Sequence, residues 1–275
     1  MKETIFTASP TKEIAKVYPE YAEFYSRFKR VVEHYHNHKS LDLPDIWTRD
    51  FLPFQNRVTC KLYTFFYEPT YQSKKLSLDV RRVVKKYFQN SKQAPLRLDG
   101  GNLIINSKGI AFAFKKYGMP LNKAERNIKA VLNIKDITFL PREIGDKICH
   151  IDGFMQFLGD DTLLMNDNVY DDCLKTHMEK CIRIISSKHP EIKIVKMPIK
   201  WNNVVRYGIP SATGVYVNFL ETSKAVFVPQ YNLHEDKKAM DLVRSLTSKA
   251  VIGVDCEAIS KHGGSIHCLT SVLMQ

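Results

Sequence analysis

The chain has 275 residues, 44% hydrophobic and 25% charged, the proportions of a globular protein with enough apolar side chains for a core of its own. Its 12 glycines and 12 prolines are too few for a fibrous or mainly disordered protein, and no run approaches 18 consecutive apolar residues, the length a membrane-spanning helix needs. The formal net charge of +12 attracts anions at low salt, but the basic residues are scattered, with only short clusters such as Arg81-Arg82 and Lys85-Lys86, and no zinc-finger, RRM or basic-zipper pattern accompanies them. They read as a solvated surface, so neither nucleic acid nor membrane is expected as a partner.

In chain order, Tyr18 to His38 carries Tyr21, Phe24, Phe28, Val31 and Val32 at helical spacing, with Pro19 suited to a first turn, and predicts an amphipathic helix. Leu43 to Trp47 breaks that period, and Val58 to Tyr67 is aromatic and β-branched enough for a strand. A helix follows over Leu78 to Phe88, then a strand at Leu96 to Leu98, a Gly100-Gly101 turn and a strand at Leu103 to Ile105. The theme repeats with a strand at Ile110 to Phe114, a helix over Asn122 to Leu132 and a strand at Asp136 to Leu140. Gly153 to Leu158 and Thr162 to Met165 read as paired strands, Tyr170 to Ser187 as a long helix and Ile192 to Met197 as a strand closed by Pro198. In the last third, Gly214 to Leu220 and Ala225 to Pro229 predict a hairpin-like pair. Asp236 to Ser245 then predicts a helix, and Val251 to Val254 and Ser265 to Ser271 predict two strands. This makes four or five ββαβ-like units of similar size, an α/β chain of pseudo-repeats, and no Pro/Gly/Ser-rich linker divides residues 1–275 into more than one domain.

The six cysteines (Cys60, Cys149, Cys173, Cys181, Cys256 and Cys268) include no CxxC pair and are too dispersed for a disulfide framework. They read as reduced thiols of a cytoplasmic protein. The opening residues agree, because no apolar stretch follows a basic flank as a secretion signal would require. His34 and His38 would share a helix face, but no carboxylate or cysteine completes a ligand set, so no metal is expected.

Four segments are polar where a core would want apolar side chains: Trp47 to Asp50, Asp99 to Asn102, Cys149 to Gly153 and His262 to Thr270. In an extended segment His150 and Asp152, two apart, face one side, which suits either an acid/base beside a cation holder or a hydrogen-bonded core pair. Cys268 follows Gly263 and Gly264, where backbone can approach a ligand closely; a buried inert thiol is the plainer reading. Asp50, after Trp47 and Arg49, could form a surface ion pair. Together, a cysteine, a histidine and two aspartates are what nucleophilic attack on a cationic carbon requires. Carboxylates meet the planar fork of a guanidinium, which is costly to bury otherwise, and the histidine moves protons.

In order along the chain, Trp47-Thr48-Arg49-Asp50-Phe51-Leu52-Pro53 resembles W-x-R-D-x-G-P, Leu98-Asp99-Gly100-Gly101-Asn102 resembles E-G-G-N, and His150-Ile151-Asp152 resembles H-V-D. Tyr216 to Phe219 resembles S-Y-x-N-F, and Gly263 to Thr270 resembles G-G-G-x-I-H-C-x-T. These are motifs of the guanidine-modifying enzymes of the pentein fold, in the branch of agmatine deiminases and bacterial peptidylarginine deiminases. The resemblance implies an α/β propeller of five ββαβ units around a central pocket. It further implies Cys268 as nucleophile, His150 as general acid/base, and Asp50 and Asp152 as holders of the guanidinium. Trp47, Asp99, Asn218 and Gly264 would line the substrate pocket, although Trp47 could equally be core and Asp99 or Asn218 could serve backbone groups. The implied reaction is hydrolysis of a guanidino group to a ureido product and ammonia through a covalent cysteine intermediate, with no cofactor. Amidinotransfer through the same intermediate and an inactive binding protein are the alternatives.

The departures are Leu52 for glycine, Asp99 for glutamate, Ser271-Val272 for the glutamines that follow the cysteine motif, and a chain shorter than typical agmatine deiminases. They leave the four catalytic positions intact and the far end of the substrate open, among agmatine, arginine and arginine in a peptide or protein. A basic exterior favours a substrate that carries acidic groups besides its guanidine. Oligomeric state is open, with a homodimer among the possibilities.

Overall fold

The computed structural model describes residues 2–116, 120–142, 147–168, 171–202, 204–206 and 208–275. Strand β1 (Glu3–Ala8) leads through helices α1 (Lys12–Val17) and α2 (Tyr21–Glu33) to β2 (Asn37–Leu41), which pairs with β1 in parallel. Thr11 caps α1 by accepting from the Ile14 N–H, and α2 buries Tyr21, Phe24, Phe28 and Val32, the stripe its spacing predicted. After the single turn α3 (Thr48–Phe51) come β3 (Phe54–Gln55), β4 (Leu62–Phe66), α4 (Lys74–Tyr87) and β5 (Lys92–Arg97). The same order recurs in β6 (Ile104–Ile105), β7 (Ile110–Phe114), α5 (Leu121–Leu132) and β8 (Asp136–Leu140), and in β9 (Met155–Leu158), β10 (Thr162–Asn166), α6 (Asp172–Lys188) and β11 (Lys193–Met197). A small hairpin, β12 (Val205–Arg206) with β13 (Ile209–Pro210), precedes β14 (Leu220–Glu221), β15 (Ala225–Gln230), α7 (Glu235–Leu246) and β16 (Ala250–Asp255). One turn, α8 (Glu257–Ser260), and β17 (Ser271–Met274) complete the chain.

Among the described residues these strands form five three-stranded sheets of one pattern, besides the two-stranded hairpin. In each, the central strand is antiparallel to one neighbour and parallel to the strand reached through the following helix or helices. The first sheet is assembled from both ends of the chain, since β17 pairs antiparallel with β1. The central strands read as apolar runs, and all five residues of β7 are buried. Caps fix the helix ends: Ser73 and Asp171 accept from Leu76 and Leu174 N–H groups, and Asn133 ends α5 in the left-handed region. No helix of the described residues is long and apolar enough to cross a membrane.

Several expectations need correction. Ser265 to Thr270 is a tight turn, not strand, with Leu269 and Thr270 N–H groups bonded to the Ser265 and His267 carbonyls; the strand begins at Ser271. The Val58 to Tyr67 strand starts only at Leu62, because Asn56 Oδ1 accepts from the Val58 and Thr59 N–H groups and holds an Asx turn. Gly214 to Phe219 forms no strand, so the antiparallel partner of β15 is Leu220–Glu221 alone. Helix α2 ends at Glu33, and His38 lies in β2, so His34 and His38 share no helix face. His38 Nε2 instead meets Thr7 Oγ1 at 2.8 Å, and His36 Nε2 meets Thr222 Oγ1 at 2.8 Å. The start expected for the long helix, Tyr170, lies outside the described residues. Strands β1 and β2 were not expected; β2 is mostly polar and escapes a pattern search.

Candidate active site

The polar segments singled out in the sequence are the connections between sheets, and they meet. Trp47 precedes α3, whose turn carries Asp50; Asp99 leads into a 3₁₀ turn at Gly100–Asn102, and His150 leads into another at Ile151–Gly153. Asn218 joins two of the segments. Its Nδ2 donates to the Asp152 carbonyl (3.1 Å) and to Cys268 Sγ (3.2 Å), while its Oδ1 accepts from Ser265 N (3.1 Å) and Cys268 N (3.3 Å). Asn218 thus shapes the cysteine turn that replaced the expected strand.

Two small cavities adjoin at Cys268 and His150, which line both. One, of about 220 Å³, is walled by Asp152, Asn218, Gly264 and Trp201; the other, of about 160 Å³, by Trp47, Asp50, Tyr71 and Gly263. All eight residues proposed from sequence therefore lie at or directly behind these cavities, Asp99 through its contact with His150. Two glycines are fixed by close approach. A Cβ on Gly264 would stand 2.4 Å from Trp47 Cζ3, and one on Gly101 would stand 2.6 Å from His150 Nδ1 and 2.8 Å from Asp50 Oδ1.

The contacts differ from those the sequence suggested. His150 and Asp152 lie on a tight turn, not an extended segment, and do not pair with each other. His150 Nδ1 is 3.5 Å from Asp50 Oδ1, and its Nε2 is 3.3 Å from Asp99 Oδ2 and 3.3 Å from the Tyr71 hydroxyl. Asp99 Oδ2 also receives Lys116 Nζ. Asp50 is buried, accepts from the Gly101 N–H at 3.0 Å, and makes no surface ion pair with Arg49. Asp152 Oδ2 lies 2.6 Å from His267 Nδ1 and 3.6 Å from Cys268 Sγ.

Burial works against charge throughout this cluster, and the neighbours decide each outcome. Burial pushes the Asp50 carboxyl up to about 7, with His150 opposing it and the Asp99 and Asp152 charges adding to it. His150 is held above its ordinary range, because the Asp50 charge and the Asp99 hydrogen bond outweigh its desolvation. Asp99 is held low by its bonds from His150 and Lys116, and Asp152 is held low by its bond from His267. Burial, then the Asp152 and Asp50 carboxylates, pushes the Cys268 thiol far up. A planar cation entering between Asp50, Asp152 and the sulfur would reverse that rise by supplying the missing positive charge.

Sequence reasoning assigned no role to His267, Arg49, Lys116 or Tyr71. His267 and Arg49 sit inside the quoted motifs, where their neighbours drew the attention; nothing local marks Lys116 or Tyr71, which arrive from other segments. Among the described residues no group of three or more His, Cys, Asp or Glu is placed to hold a metal ion.

Residues 5–273 match the family model of the Porphyromonas-type peptidyl-arginine deiminases. A Vibrio parahaemolyticus protein named "Putative agmatine deiminase" is 24% identical over 212 residues, 65% of this chain and 58% of the relative. The chain is thus matched to less than two thirds of that relative's length, as it is for a Photobacterium profundum protein of the same name, covered over 61%. In structure, the Campylobacter jejuni agmatine deiminase superposes with a TM-score of 0.80 at 19% identity, covering 100% of this chain and 94% of that one. DDAH from Pseudomonas aeruginosa superposes with a TM-score of 0.67 at 11% identity over 99% and 100% of the two chains. These likenesses establish a shared fold, the mixed α/β architecture of the pentein enzymes.

Proposed function

The chain belongs to the Porphyromonas-type peptidyl-arginine deiminase family, and on that premise we propose that it hydrolyses a guanidino group to a ureido group and ammonia. The observation that carries this reading is the convergence of Cys268, His150, Asp50 and Asp152 on two cavities that share the sulfur and the imidazole. The five like sheets are the blades of a single propeller domain spanning residues 1–275, with the site where their connections gather.

Asp50 and Asp152 hold the guanidinium nitrogens. The bound cation lowers the thiol's pKa, Cys268 releases its proton to solvent, and the thiolate attacks the guanidinium carbon. His150, kept protonated by Asp50 and Asp99, gives its proton to the departing nitrogen, and ammonia leaves as the carbon–nitrogen bond breaks. A thiouronium-type intermediate remains on sulfur. Neutral His150 then takes one proton from water as its oxygen bonds the same carbon; the carbon–sulfur bond breaks, and the remaining hydroxyl proton passes to the departing sulfur, restoring the thiol and leaving the ureido product. Trp47 and Gly264 wall the substrate chain, and Asn218 donates to the sulfur. The substrate is a guanidine-bearing small molecule, such as agmatine or arginine, or arginine within a peptide.

A colorimetric ureido assay over a panel of guanidines, run beside Cys268→Ala, tests this. The wild type should release ammonia and ureido product in equal amounts whether or not an acceptor amine is present. The variant should lose roughly a thousandfold or more in rate. Turnover of no guanidine, or an alanine variant matching wild type, would remove the assignment, and product formed only with the amine would make the protein an amidinotransferase.

A further inference from the structure

The two aspartates of the site are held in different ways. Asp50 is fixed by a backbone donor, the Gly101 N–H at 3.0 Å. Asp152 has no such donor: among the described residues its carboxylate hydrogen-bonds only to His267 and Cys268, with the Arg49 and His150 charges nearby, and its Oδ1 is buried without a hydrogen-bond partner. Rotation about the last bond of an aspartate is soft, so an unclamped carboxylate beside a thiol would swing.

His267 supplies the clamp. It precedes Cys268 in the chain, and it also lines, with Arg49, a separate cavity of about 470 Å³ that neither Cys268 nor Asp152 lines. A carboxylate can only accept, so the 2.6 Å contact with Asp152 Oδ2 places the hydrogen on His267 Nδ1, and the same Oδ2 lies 3.6 Å from the sulfur. The backbone holds the ring's origin, since the His267 N–H donates to the Asn218 carbonyl at 3.1 Å.

We infer that His267 is a positioning residue, whose Nδ1–H fixes Asp152 beside Cys268 in the orientation that receives a planar cation. The groups facing it are Asp152 and Arg49. Burial, reinforced by the Arg49 charge, pushes the imidazole down to about 4, so the ring stays neutral through the working range. A neutral donor suits this role, because it orients the carboxylate without supplying the positive charge that the substrate must bring. His150, raised by the Asp50 charge and the Asp99 hydrogen bond against its burial, is shifted the opposite way.

The inference rests on the deimination reading, and its test separates the two. Cys268 is alkylated with 2-chloroacetamidine, a cation, and with 2-chloroacetamide, its neutral counterpart of similar shape; in each case a sulfur–carbon bond forms and chloride leaves. The ratio of the two rates reads how well the carboxylates receive a planar cation, whatever the natural substrate. Wild type should prefer the cation. His267→Leu, which removes the donor, should reduce that preference roughly tenfold or more, the scale of a lost hydrogen bond to a charged group. His267→Asn, whose amide N–H stands near the place of Nδ1, should keep it within about threefold, a rescue that a purely structural role does not predict. If His267→Leu does not fold, His267→Gln replaces it, because its amide reaches the place of Nε2 instead. A preference retained without the donor, or lost equally in the Asn variant, would overturn the positioning role while leaving deimination standing. A wild type with no preference for the cation would remove both.

Discussion

Gly101→Ala is a small change that should disable the site without substituting any functional side chain. The added Cβ would stand 2.6 Å from His150 Nδ1, 2.8 Å from Asp50 Oδ1 and 3.0 Å from His150 Cγ. Carbon contacts relax to about 3.5 Å, so the imidazole has to retreat by roughly 0.9 Å. It has little room to do so, with Asp99 and Tyr71 each 3.3 Å from its Nε2. Overpacking of this kind costs about 1–3 kcal/mol, and a displacement near 1 Å at a reacting group costs about a hundredfold in rate. The expected outcome is a fall of roughly 30- to 100-fold in kcat/KM for ureido formation, with Tm lower by about 2–10 °C. Steady-state kinetics with a thermal melt on the same preparation checks both. A variant within about twofold of wild type in kcat/KM would refute the reasoning, because it would mean that the Asp50–His150 spacing is not what the turn enforces.

Three further outcomes follow from the contacts of the site and its supporting turn. Because kcat/KM reports the free enzyme, it should rise with pH through about 7 as Asp50 loses its proton and gains the charge that binds a guanidinium. It should fall again at higher pH as His150 loses the proton it must give. Lys116→Met removes a cation that opposes the His150 charge, so the alkaline fall should move to higher pH; a pH–rate series on both proteins checks the direction. Asn102 is fully buried, with Oδ1 accepting from the Phe114 N–H (2.9 Å) and Nδ2 donating to the Phe114 carbonyl (3.0 Å). Asn102→Leu leaves both backbone groups unpaired, so urea unfolding should show a loss of about 1–3 kcal/mol for each; an unchanged midpoint would contradict this.

The sequence by itself determined the elements whose patterns are local. The buried stripe of α2, the apolar run of β7 and the repeating strand–strand–helix–strand order follow from spacing and residue type. It also marked the segments that converge on the two cavities, because glycine pairs beside titratable side chains at Asp99 to Asn102 and at Gly263 to Cys268 are not what a core alone asks for. What it could not determine is which of those side chains pair. His150 and Asp152 are two apart in the chain, yet one turns to Asp50 and Asp99 and the other to His267. The Ser265 to Thr270 turn is likewise set by Asn218, some 50 residues away in the chain, and not by its own composition. Hydrogen bonds and charges act through space over a few ångströms, whereas periodicity acts along the chain. The opposite directions in which His150 and His267 are shifted therefore had to await the packing that brings the segments together.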